Sequence, residues 1–178
     1  KNIIIITLNL TSVLFFIVIS FCIFPSANFA TPVSNVDKMQ SLINSYRESS
    51  GLSPVKLNNR LSQAAKDKSE NLISTGQFEH SAPIDLFTVK AGYNGNKISE
   101  LLSEGYPNES SIFSHWKISG DHNSILLNSD FCEFGYSLDN KKIQGKDIFM
   151  ATLYMGVPSG GCGATSSTYS ITTDVMGE

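Results

Sequence analysis

Hydrophobic positions along this chain fall into three regimes. From Ile3 to Phe24 they form an almost unbroken apolar run. From Asn35 onward they are spaced. Met39, Leu42, Ile43 and Tyr46 recur at the i, i+3, i+4, i+7 positions, which share one helical face. This predicts a helix from Asn35, a possible cap, to about Ser49, stopped by Gly51. Leu52 to Leu57 contains Pro54 and reads as a short extended link. Leu61, Ala64, Ala65, Lys68 and Leu72 mark a second helix from about Asn59 to Ser74, capped by Asn58 and ended by Gly76. Between Gln77 and Glu104 the periodicity disappears among Pro, Gly and Asn, so an irregular segment is expected there. A third helix follows from Glu109 or Ser110 to Ile118, then a helical turn around His122 to Leu127. In the last regime, Cys132 to Leu138 alternates loosely, Asp139 to Lys142 is polar and turn-like, and Asp147 to Gly156 suits a central strand. The Gly-, Ser- and Thr-rich stretch from Pro158 predicts a loose tail. Helices first and paired strands last indicate the α+β class.

The opening run has the order of an export signal. Lys1 precedes it, and Pro25 to Ala30 supplies a small-residue cleavage region, so residues 1–30 read as a signal peptide. The alternative is an uncleaved anchor, the only route by which the sequence implies a membrane. The rest is the size of one domain. A formal net charge of −3 with no Lys/Arg cluster argues against a nucleic-acid partner. Of three cysteines, Cys22 lies in the apolar run, leaving Cys132 and Cys162. In an exported chain such a pair reads as one disulfide, with two free thiols as the alternative.

The candidate chemistry lies in His80, Glu100 and His122, on three separate segments. Two imidazoles and a carboxylate suit a divalent ion such as zinc, or general acid/base work near neutral pH. The same trio could also simply hydrogen-bond across loops. His115 neighbours Trp116 and reads as surface or packing, while Trp116, the sole tryptophan, reads as a core anchor. No H-E-x-x-H and no G-x-S-x-G occurs, so a zincin protease and a serine hydrolase elbow are both disfavoured.

The order of blocks carries a resemblance. Asn44-Ser-Tyr46-Arg47 with Gly51-Leu52-Ser-Pro54, then Leu57-Asn58-x-x-Leu61-x-x-Ala64-Ala65, His80, and Ile98-Ser99-Glu100-Leu101 come first. Trp116-x-x-Ser119-x-x-His122, Ile125-Leu126 and Phe134-Gly135-Tyr136 follow. Together they resemble the CAP superfamily (cysteine-rich secretory, antigen-related and pathogenesis-related proteins, or SCP domain), in its compact bacterial-type branch. The resemblance covers residues 36–156 and leaves 157–178 as a tail. It implies an α-β-α sandwich with a small antiparallel sheet between helical layers. It also implies a cleft lined by His80, Glu100 and His122. Ser119 stands where the family's eukaryotic pattern writes a second Glu, so the resemblance implies only weak zinc binding through three protein ligands. The implied function is that of a secreted, extracellular protein that binds a lipid or sterol, or a cell-surface or host molecule. The alternative is a secreted metal-assisted hydrolase using the same cleft.

Overall fold

The computed structural model describes residues 35–163. The expected signal segment, 1–30, and most of the expected tail, from residue 164 on, lie outside the described residues. Helix α1 spans Asn35–Ser49, strand β1 Lys56–Leu57, α2 Asn59–Thr75, α3 Leu86–Lys90 and β2 Gly95–Glu104. Then come α4 Glu109–Ile118, α5 Gly120–Leu126, β3 Glu133–Ile143 and β4 Lys146–Pro158. The strands form one sheet in the order β1-β3-β4-β2. Its three long strands are antiparallel, and β1 adds a two-residue parallel pairing to β3, which makes the sheet mixed.

Helix layers cover both faces of the sheet. On one face Leu101, Tyr136, Leu153 and Met155 join Met39 and Ile43 of α1, Ile112, Phe113 and Trp116 of α4, and Leu126 of α5. On the other, Tyr154 and Leu102 meet Leu61, Ala64, Ala65, Leu72 and Ile73 of α2. The alternation of side chains along a strand assigns these faces. Thus β2 and β4 carry runs of buried residues rather than a strict in–out pattern.

Caps behave as local chemistry dictates. The Asn58 side chain accepts from the amides of Arg60 and Leu61, and Gly76 ends α2 at φ 69°. Asn108 caps α4 by accepting from Ser111 N. Arg47, buried at the end of α1, donates to the carbonyls of Ser53, Leu126, Asn128 and Phe131 at 2.8–3.1 Å. It thereby joins α1 to the chain that follows α5.

Three expectations require correction. The segment 77–104 contains regular structure: α3, and the ten-residue edge strand β2 that carries Glu100. With Leu101, Leu102 and Ser103 buried on both faces, β2 lacks the alternation that announces a strand. Asp139 to Lys142 continues β3. The hairpin turns instead at Gln144 and Gly145, with φ of 49° and 82°, the positive pair that a tight two-residue hairpin turn requires. Finally, Pro158 closes β4, and the chain up to Gly163 is held by the Cys132–Cys162 disulfide, with Cα atoms 5.7 Å apart.

Candidate functional site

Glu100 is the electrostatic centre of the candidate site. It lies on β2, on the face covered by α2, and is 3% exposed. Burial of a carboxylate requires compensating donors, and four are present. Oε1 accepts from His80 Nδ1 at 2.9 Å and Ser81 N at 3.1 Å. Oε2 accepts from Ser81 Oγ at 3.0 Å and Tyr154 OH at 2.6 Å. Tyr154 reaches it because residues 100 and 154 are register partners on adjacent strands. Burial first, and the charge of Glu100 second, push the Tyr154 phenol above its ordinary range, which keeps it a donor.

His80 follows the C-terminus of α2 and is itself exposed. Its segment is fixed by Lys68, a buried residue of α2 whose ammonium donates to Glu79 O at 2.7 Å and lies 5.5 Å from the Phe87 ring centroid. With Nδ1 spent on Glu100, the His80 Nε2 is the nitrogen left for a ligand. Beside it is a cavity of about 280 Å³ lined by Lys68, Asn71, His80, Ser81, Leu86 and Phe87, among others.

His122 belongs to α5, which Asn123 ties to α1 by accepting from Tyr46 OH at 3.0 Å. Its ring centroid lies 6.4 Å from His115 and 6.5 Å from Trp116. Trp116 is fully buried and donates from Nε1 to Leu102 O on the edge strand, the anchoring role its sequence context suggests. His122 Nδ1 is buried without a hydrogen-bond partner among the described residues. Burial first, then the neighbouring His115 and His80, hold the His122 pKa below the ordinary imidazole value, and Asp121 opposes in part. The structure therefore joins His80 to Glu100 directly and sets His122 within electrostatic reach of His80.

A divalent ion is implied by the family resemblance, and the donors test it. Both oxygens of Glu100 already accept two hydrogen bonds each. Among the described residues no group of three or more His, Cys, Asp or Glu side chains could hold a metal ion. The donor set does not fit a three-ligand centre. Glu100 instead orients His80.

Sequence reasoning missed Ser81, Tyr154 and Lys68. It also set His115 aside, which stacks on Tyr106 at 4.8 Å and shares a 3.1 Å hydrogen bond with its hydroxyl beside His122. Only Lys68, a cation within the apolar stripe of α2, left a visible trace in the sequence.

Comparison with known proteins now decides the family. The model of the cysteine-rich secretory protein family, CAP, matches residues 40–155. The chain belongs to this family. The uncharacterized protein YkwD of Bacillus subtilis is 25% identical over 103 residues, 55% of this chain and 40% of that protein. The chain thus matches well under half the length of this relative. An SCP-domain extracellular protein from Bacillus anthracis superposes with a TM-score of 0.62 at 17% identity, covering 68% of this chain and 40% of that one. An outer surface protein of Borrelia burgdorferi does so at 0.59 and 20%, covering 68% and 90%. At these identities the two structures establish the CAP fold alone. No helix among the described residues is long and apolar enough to cross a membrane.

Proposed function

We propose that this CAP protein is extracellular and acts by binding, at a site built around His80, Glu100 and His122. The observation that carries this reading is the saturation of Glu100 by four donors. A carboxylate held in this way positions an imidazole and is a poor mobile base. An amphipathic ligand, a lipid or sterol, suits the surroundings best. Polar donors at Lys68, Asn71 and His80 border the same cavity as Leu86 and Phe87. Leu86 is 50% exposed, with Ile84 at 39% and Val89 at 61% nearby in sequence, so apolar surface continues outside the cavity. Zinc enters this reading only through the two imidazoles, at an affinity well below that of a closed three-ligand site.

The test is a binding assay with fluorescent fatty-acid and sterol probes on the wild type, His80→Ala and Leu86→Asp. Both substitutions should weaken binding, the first through the polar end and the second through the apolar one. Unchanged affinity in both would remove the site from the reading. Zinc calorimetry on the wild type and His122→Ala should show a weak ion lost on substitution, and equal affinities would exclude His122 as a ligand.

A further inference from the structure

At the N-terminal end of α2 lies a second cavity, of about 640 Å³, which shares no lining residue with the one beside His80. The residues of α2 that line the two cavities, Asn59 and Arg60 here and Lys68 and Asn71 there, lie about 12–18 Å apart along the helix axis. Its polar groups are only partly spent. Tyr93 OH donates to Glu133 Oε2 at 2.9 Å, leaving Oε1 without a partner among the described residues. Arg60 Nη1 donates to Gly92 O at 2.7 Å, leaving its other guanidinium nitrogens unspent among the described residues. The exposed carboxamides of Asn59 and Asn94 likewise have no side-chain partner there. Leu57, 38% exposed, and Pro158 add apolar surface.

The far wall is fastened by several bonds. Ser159 N donates to Asn94 O at 3.0 Å, Asn96 Nδ2 donates to Ser159 O at 3.1 Å, and the Cys132–Cys162 bond closes the segment behind them. Tyr93 fits beneath because Gly156 has no side chain, and a Cβ there would run into the Tyr93 hydroxyl.

We propose that this cavity is a second binding site, for a neutral polyhydroxylated ligand, an oligosaccharide. One guanidinium and one carboxylate cancel, and the Arg60 and Leu61 amides at the start of α2 are spent on the Asn58 side chain, so little favours a phosphate or an acidic chain. Each carboxamide offers two donors and an acceptor, the complement of paired hydroxyl or acetamido groups. Leu57 and Pro158 suit the C–H face of a sugar ring. The volume lies within the usual range of small-ligand sites.

NMR titration of labelled protein with chitotriose, cellotriose and maltotriose tests this, alongside a neutral tripeptide. At least one trisaccharide should move the amides of Leu57 to Arg60, Asn94 and Ser159. The double variant Asn59→Ala/Asn94→Ala should weaken that binding roughly tenfold, the effect of losing one to two hydrogen bonds. Both positions are exposed, so the fold survives. Absence of shifts with all three sugars would overturn the proposal. So would preferential binding of the tripeptide, equal affinity in the double variant, or shifts confined to the His80 region.

Discussion

Arg47 and His122 show how single residues set the properties of this domain. The Arg47 guanidinium is buried and satisfies four carbonyls between Ser53 and Phe131. Burial lowers its pKa somewhat from a very high ordinary value. Replacing it with Met leaves those carbonyls short of donors at about 1–3 kcal/mol each where no water reaches them. Arg47→Met should therefore lose about 3–5 kcal/mol in urea unfolding, and Arg47→Lys most of that, since one ammonium cannot span four acceptors. A loss below 1 kcal/mol would contradict the clamp. His122 acts through protons. Its folded pKa is depressed by burial and by His115 and His80. The unfolded chain therefore takes up a proton first, near the ordinary value of 6.5. Between that value and the depressed one, the unfolded state holds more protons, so the native state loses stability as pH falls. The slope from one group is at most about 1.4 kcal/mol per pH unit. Unfolding free energies of the wild type and His122→Asn, measured from about pH 7 to 5, should differ by that slope. Parallel curves would show that His122 ionises alike in both states.

At the scale of elements, the close contact between α2 and the sheet depends on Gly135. A Cβ at that position would run into the backbone of Leu61 and Ser62. Gly135→Ala should cost about 3 kcal/mol by overpacking and shift the α2 amides in NMR spectra. A neutral substitution would mean the two elements separate freely. The same element exposes the reach of sequence reasoning. Both long helices were legible, and the α2 caps with them, because Asn58, Gly76 and the i, i+3, i+4 spacing are local features. Strand β2 was not, because its buried run is defined only by α2 and α4 closing over opposite faces. His80, Glu100 and His122 were legible as residue types in a family order. Tyr154 and Ser81 were not, because the first reaches Glu100 through strand register and the second through a loop contact. The hairpin turn was misplaced because Asp139 to Lys142 is polar for an exposed strand extension rather than for a turn.

For the whole molecule, the one long-range covalent constraint among the described residues is Cys132–Cys162, which spans 30 residues. It encloses the β3–β4 hairpin, the structure that every other strand pairs with. In the chain-entropy view, a loop of that length is worth roughly 3–4 kcal/mol through the unfolded state. The bond also does local work, since without it only hydrogen bonds such as Asn96 to Ser159 hold the segment after β4. Two separable effects are therefore expected of the double variant Cys132→Ser/Cys162→Ser. The urea midpoint should fall by an amount equivalent to about 3 kcal/mol, with a slope that rises because the uncrosslinked unfolded chain exposes more surface. Hydrogen exchange should rise at Ser159 and Gly161 while the central β4 amides keep the protection that the remaining stability allows. An unchanged midpoint with raised exchange would make the bond a local fastener only, and a lowered midpoint with unchanged exchange would make it a purely unfolded-state device.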